Sequence, residues 1–306
     1  MSVRWFRCGA SSPQLVHLTT SAALEEIGEC RLVVVGEVHG EARQVAVQRT
    51  IQRAMAQRRP LYLVLEHFSL DSQQLLDHYK RGGLDFDALT AEYNDRHYEG
   101  HDLVPYAALL DDAKRGSNIS LHAGFVPRPL AQFCVSDRAS ALGFAKARGW
   151  VRADEDLAES EGHYGVFEGY ITGAAGETPT GQFRRIFPAQ LLKDAACAHA
   201  ISSLFAGRGG ADADADDADA DANGASDAGV GVGAAAARDE ATGVLAIVGR
   251  GHMGHGFGVP ERLRLPPGVR PLCIYPREAC DARAPNPPGD LVFDFGPEDS
   301  SLDDSV

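Results

Sequence analysis

The stretch Arg31–His39, RLVVVGEVH, decides how the rest of the chain is read. Five residues, RLVVV, form a continuous aliphatic run ending at Gly36, the pattern of a strand covered on both faces. A strand buried on both sides belongs to a mostly parallel sheet with helices above and below it. Glu41 to Arg59 then reads as a helix, with Val47, Ile51 and Met55 four residues apart. Arg53, Arg58 and Arg59 suit its negative end, and Pro60 stops it.

The same alternation extends outward. Leu61 to Leu65 (LYLVL) is a second buried strand, Asp71 to Arg81 a short helix, Pro105 to Arg115 another, and Asn118 to Ala123 (NISLHA) a third strand. LVHL at 15–18 also reads as a strand. Between Arg128 and Phe205 the pattern turns to long Ala- and Leu-rich helical stretches. Strands return at Gly243 to Val248 (GVLAIV) and Arg270 to Tyr275 (RPLCIY), with Leu291 to Phe295 (LVFDF) as an expected edge strand. The expected fold is α/β, with a mostly parallel central sheet flanked by helices and an inserted helical subdomain. Residues 1–124 and 240–296 make the α/β core and 125–206 the insertion. Residues 207–239 are an Ala/Asp/Gly-rich loop that cannot bury a core, and 297–306 an acidic tail; both are expected to be disordered.

Composition narrows the function. The chain has 306 residues, 44% hydrophobic and 24% charged, which supports a proper core. Its net charge of −14 is concentrated in six aspartates between Ala211 and Ala222 and four acids after Gly296. Without those ten acids the body is only mildly acidic and has no block of Lys and Arg, so nucleic acid and anionic membranes are not expected partners. Six scattered cysteines with no CxxC pair argue against a disulfide framework and a cysteine zinc site. No apolar run is long enough to span a bilayer, and no signal-peptide h-region is read. A cytoplasmic location is expected, with organellar targeting left open because Arg4 and Arg7 precede the first acid, Glu25.

Polar residues follow four of the apolar runs directly: Glu37 and His39 after RLVVV, Glu66 and His67 after LYLVL, His122 after NISL, and His252 after LAIV. In an open parallel sheet ligands bind at the carboxyl ends of the strands, so these residues would converge on one crevice. Gly36 to His39 and Gly249 to His252 share a Gly-x-x-His spacing, in which the glycine lets the backbone turn off the sheet. Glu37, His39, Glu66 and His252 are the candidate catalytic and metal-ligating set. Imidazole and carboxylate donors of this kind suit zinc, manganese or iron with an open position for water. His67 and His255 adjoin the set, and Arg128 can hold an anionic group such as a propionate. Each also has a bland reading: Glu37 suits a helix amino end on dipole grounds alone, and a strand-end histidine can be structural.

Two other motifs are rejected. Gly249, Gly251 and Gly254 form GxGxxG, but the glycines and prolines after them leave no room for the helix that a dinucleotide needs. There is no GxSxG nucleophile elbow.

Taken in order, GEVH at 36–39, LVLEHF ending at Phe68, Tyr106 to Arg115 leading into NISLHAGFVPR, PAQLLKD at 188–194 and GRGHMGHGFGVPERL from Gly249 resemble the ChaN-like haem-binding proteins. The resemblance spans most of residues 31–275. It implies a larger α/β domain, a smaller helical domain and a site between them. It further implies haem binding linked to iron acquisition, with a homodimer around haem. The wider superfamily includes the Tiki proteases and erythromycin esterases, so a metal-dependent hydrolase using the paired Gly-x-x-His motifs and glutamates is the alternative. A scaffold without activity is the third. The implied cofactor is haem or a divalent transition metal, and His67, His122, Arg128 and His255 are the additional cofactor-binding candidates. ChaN-like proteins are often lipoproteins, whereas no lipobox is read here. Tyr98, Tyr106, Tyr164 and Tyr170 stand equal as haem-ligating tyrosines.

Overall fold

The central strand forms as expected, but the sheet around it is wider than the sequence suggested. A computed structural model describes residues 3–9, 12–96, 99–173, 178–207, 242–277 and 289–295. The expectations for most of the Ala/Asp/Gly-rich loop and for the acidic tail, together with Tyr98, lie outside them. Eight strands form one sheet: β1 (Val3–Gly9), β2 (Ser12–Leu18), β3 (Leu32–Glu37), β4 (Leu61–Ser69), β5 (Ile119–Phe125), β6 (Gly243–Gly249), β7 (Pro271–Pro276) and β8 (Leu291–Phe295). Their order is β2-β1-β8-β7-β3-β6-β4-β5. Pairing is parallel from β8 through β5, and antiparallel where β1 meets β8 and β2.

Ten helices are described: α1 (Thr20–Glu29), α2 (Ala42–Ala56), α3 (Gln73–Lys80), α4 (Phe86–Arg96), α5 (Ala107–Arg115), α6 (Arg128–Ser136), α7 (Arg138–Ala147), α8 (Glu161–Thr172), α9 (Phe187–Phe205) and the single turn α10 (Val259–Arg262). Helices α1 to α5 pack on one face of the sheet, against Val33, Val35, Leu63, Leu65, Leu245 and Ile247. Val47, Ile51 and Met55 of α2 are fully or nearly buried there; each contributes about 1.5–3 kcal/mol by leaving water. Glu41 caps this helix, its carboxylate accepting from the amides of Arg43 and Gln44. The opposite face, with Val34, Val64, Ala246 and Val248, is covered by the second half of α9 and by Val259 and Leu263. The first half of α9 packs with α6, α7 and α8 in a separate helical cluster. One helix therefore serves both bodies.

Several expectations need correction. The LVFDF strand is interior: β8 pairs with β7 on one side and β1 on the other. Its Asp294, which suggests an edge in the sequence, is met by Arg4 at 2.6 Å. Helices α1 and α4 and strand β1 were not anticipated. The third strand runs on to Phe125, so His122 stands in the middle of β5 and not at its carboxyl end. Its ring packs on Tyr62 at 4.8 Å, on the far edge of the sheet.

The connections after β3 and β6 leave in opposite directions. From β3 the chain passes over β6 to reach β4, and from β6 it passes over β3 to reach β7. Two adjacent strands whose crossovers diverge leave a crevice at their carboxyl ends. No helix among the described residues is long and apolar enough to cross a membrane.

Candidate functional site

Three parallel strands, β3, β4 and β6, bring their carboxyl ends together at the candidate site. Glu37 ends β3 and is paired in register with Gly249, the end of β6. Beyond them β4 continues through Glu66 and His67, both buried. Successive residues in a strand point to opposite faces. Glu37 and His67 have the parity of the α2-facing residues, and Glu66 that of the α9-facing ones.

His39 spans the two sides. Its Nδ1 donates to Glu37 Oε1 at 2.9 Å and its Nε2 to Glu66 Oε1 at 2.9 Å, while 45% of its side chain stays open. The absence of a side chain at Gly249 permits this. A Cβ there would lie 3.1 Å from the His39 ring and 3.3 Å from Glu66 Oε1. The Gly249 amide also donates to Glu66 Oε2 at 2.5 Å, so the strand end itself anchors the carboxylate.

Glu37 is the hub. Its Oε1 accepts from His39, from His67 Nε2 at 3.0 Å and from the Tyr106 hydroxyl at 2.5 Å. Its Oε2 accepts from Gln48 Nε2 at 2.5 Å. Gln48 belongs to a column on α2: Gln44, Gln48 and Gln52 are fully buried, and Gln44 accepts from the Val38 amide at 2.9 Å, tying down the turn before His39. His101 completes the group from the segment ahead of α5. Its ring centroid is 4.7 Å from that of His39 and 4.9 Å from that of His67.

These contacts set the charges. Burial opposes ionisation of Glu37, but the neighbouring His67 and the hydrogen bonds from His39 and His67 outweigh it and hold the carboxyl at about 2. Burial likewise works against a charged His39, yet Glu37 and Glu66 push its imidazole up to about 10. Glu66 is held well below the carboxylate range despite burial, by the bond from His39 and the charges of His252, His39 and His67. Burial, together with the charges of His67 and His39, pushes His101 down to about 3, which leaves it a neutral nitrogen donor.

A second group lies on the α9 side. His252 Nδ1 is 2.6 Å from Asp194 Oδ1, and Asp194 is fully buried. Gln190, four residues earlier on α9, reaches the same ring nitrogen at 2.8 Å and donates to the Gly251 carbonyl at 3.0 Å. The buried His163 faces Asp194 Oδ2 at 3.5 Å and Glu261 at 2.8 Å. A histidine oriented by a buried carboxylate in this way is suited to proton transfer.

Of the residues singled out in the sequence, Glu37, His39, Glu66 and His67 are hydrogen-bonded into one group. His252 lowers the Glu66 pKa by its charge, but it bonds to Asp194 and Gln190 instead. Arg128 is exposed at the start of α6, where its amide donates to Glu99 at 3.0 Å. His255 sits in the turn after β6 with a left-handed backbone, φ 58°. Gln48, Asp194 and Gln190 were not singled out in the sequence, and Tyr106 was given no place in this group. The glutamine spacing 44, 48, 52 and the polar pair 190 and 194 on an otherwise apolar helix were the available signals.

Comparison with known proteins gives the family and the fold. Residues 23–263 match the family model described as haem-binding uptake, Tiki superfamily, ChaN. Among solved structures, the chain is similar to the one titled "Cofacial heme binding to ChaN of Campylobacter jejuni". The TM-score is 0.60 at 12% identity, covering 95% of this chain and 96% of that one; at that identity the likeness is one of fold. A structure of bacterial protein toxins aligns with a TM-score of 0.40 at 13% identity, over 92% of this chain and 39% of that one. No curated protein matches.

Proposed function

The chain belongs to the haem-binding uptake family of the Tiki superfamily that includes ChaN, and we propose that it binds haem at the crevice where β3, β4 and β6 end. The observation that carries this reading is His39. It is a half-open imidazole seated between two buried carboxylates, with the ring of His252 in the same crevice. The residues present fit the group on one condition: His39 Nε2 would have to give up its proton and its bond to Glu66 to hold the iron, while Nδ1 stays on Glu37. Lys193 lies over the Phe125 ring at 5.4 Å, and that ring packs on His252 at 4.5 Å, so a cation stands near for a propionate. When bound, haem supplies an iron centre whose behaviour is tuned by the ligand and its surroundings. The protein's part is to orient His39 through Glu37, to screen the site with Glu66, and to offer His252 from the α9 side. His67 stands behind His39 as a positioning group. A homodimer around haem belongs to the same reading.

Haemin titration followed by absorbance tests it, with a His39→Ala/His252→Ala double variant alongside. A saturable Soret shift at one or two equivalents, lost in the variant, is the expected result, and light scattering with and without haemin reports dimerisation. Absence of any shift in the wild-type protein would sink the haem reading. The second reading, a metal-dependent hydrolase using Glu37, His39, Glu66 and His252, is favoured by one observation: the short Asp194–His252 contact that suits a general base. A screen of ester and peptide substrates with and without added metal separates the two.

A further inference from the structure

Three imidazoles from three separate segments face one another at a single point. His39 comes from the turn after β3, His67 from the end of β4 and His101 from the segment preceding α5. Each offers a ring nitrogen, and the three nitrogens all lie within 4.8 Å of one another. The rings stand edge to face, with centroid separations of 4.7, 4.9 and 5.9 Å. Apolar packing alone would be served as well by any ring and would not gather ring nitrogens together.

The surroundings resemble the support of a metal site. Glu37 Oε1 accepts from both His39 and His67, so one carboxylate fixes the orientation of two imidazoles. A carboxylate behind a ligating histidine is the usual outer-shell device; it sets the ring's orientation and raises the basicity of its other nitrogen. Glu37 is in turn fixed by Tyr106 and Gln48, which leaves it little freedom to move. Glu66 Oε1 and His39 Nε2 stand 2.9 Å apart; with the proton between them released on metal binding, both would face the ion.

We propose that His39, His67 and His101 bind one divalent transition-metal ion directly, without a porphyrin, with Glu66 completing the charge. Three imidazoles and a carboxylate suit zinc, iron(II) or cobalt(II), while calcium and magnesium prefer oxygen donors. Only His39 is shared with the Gly-x-x-His pair; His67 and His101 take the place of His252. The site shares His39, His67, Glu66 and Glu37 with the haem reading and differs from it in using His101 and not His252, so haem and the ion would compete for His39.

The test uses the full-length protein, stripped with a chelator and titrated with cobalt(II) under exclusion of haem. The expected result is one equivalent bound, with visible ligand-field absorption of an imidazole-ligated ion, displaced by zinc. His101→Ala, a change in a half-buried segment outside the sheet, abolishes this absorption. Tyr106→Phe, which loosens Glu37, weakens binding by about tenfold. His78→Ala, an exposed histidine on α3, leaves it unchanged. Retention of the cobalt spectrum in both His101→Ala and His67→Ala would overturn the proposal. So would its loss in His252→Ala with survival in His101→Ala, since the ion would then belong to the other set. Haemin titration of the same preparation scores the haem reading separately.

Discussion

Gly249 shows how much the site depends on a single missing side chain. A Cβ would press on the His39 ring at 3.1 Å and on Glu66 at 3.3 Å, while the backbone is held by its own bond to Glu66. Gly249→Ala is therefore expected to cost about 1–3 kcal/mol of stability by overpacking and to separate His39 from Glu66; urea denaturation measures the first effect and ligand titration the second. His122 yields a prediction of another kind. Burial pushes its pKa down to about 4, below the ordinary 6.5, with Asp77 opposing weakly. The folded protein keeps this ring neutral while the unfolded chain takes up a proton, so stability is full above about 6.5 and falls as pH drops toward 4. Thermal melts between pH 7 and 4.5 should show a steeper decline for the wild type than for His122→Leu; equal declines would refute the assignment. At this scale Glu37, His39, Glu66 and His67 were legible because each follows a strongly aliphatic strand. His101, Tyr106 and Gln48 were not. They reach the site from a helix and a loop whose placement depends on tertiary packing, and the glutamine column on α2 shows only that polar side chains are buried, not what they meet.

Among the elements, β8 has the most consequence for its length. Phe293 is fully buried, with its ring 5.8 Å from that of Trp5 on β1 and 5.7 Å from Phe295. Phe293→Ala should cost about 3–5 kcal/mol through lost burial and the cavity left behind, measurable as a lowered denaturant midpoint with little change in slope. The aliphatic runs of β3, β4, β6 and β7 were readable because strands covered on both faces need no alternation. For β8 the same chemistry misled: one acid in five residues reads as exposure until Arg4 and Arg277 are seen to meet it. The α1 helix was missed for a different reason. It buries only Ala23, Ile27 and Gly28, too narrow a stripe for periodicity to reveal.

For the molecule as a whole, the sheet's order separates position along the chain from position in space. The ligand-bearing strands β3, β6 and β4 are neighbours, although more than half the described chain, including the helical cluster, lies between β4 and β6. That arrangement follows from the switch in crossover direction, and sequence can suggest it only by showing polar residues after several aliphatic runs. A protein truncated before Leu291 is expected to lose the pairing partners of both β1 and β7; limited proteolysis should then cut first within residues 3–18, whereas uniform resistance there would contradict the pairing.

The β1–β2 hairpin joins the sheet only through β8. During synthesis it emerges well before β8 and is seated only once β8 arrives. At about 5–20 residues per second, the ribosome needs on the order of half a minute to deliver the strand that receives it. Throughout that interval Trp5 lacks its Phe293 partner and β1 has an open edge. Such an edge is a template for pairing with another chain, so the nascent protein carries a built-in demand for chaperone protection of this hairpin, lasting until β8 leaves the exit tunnel.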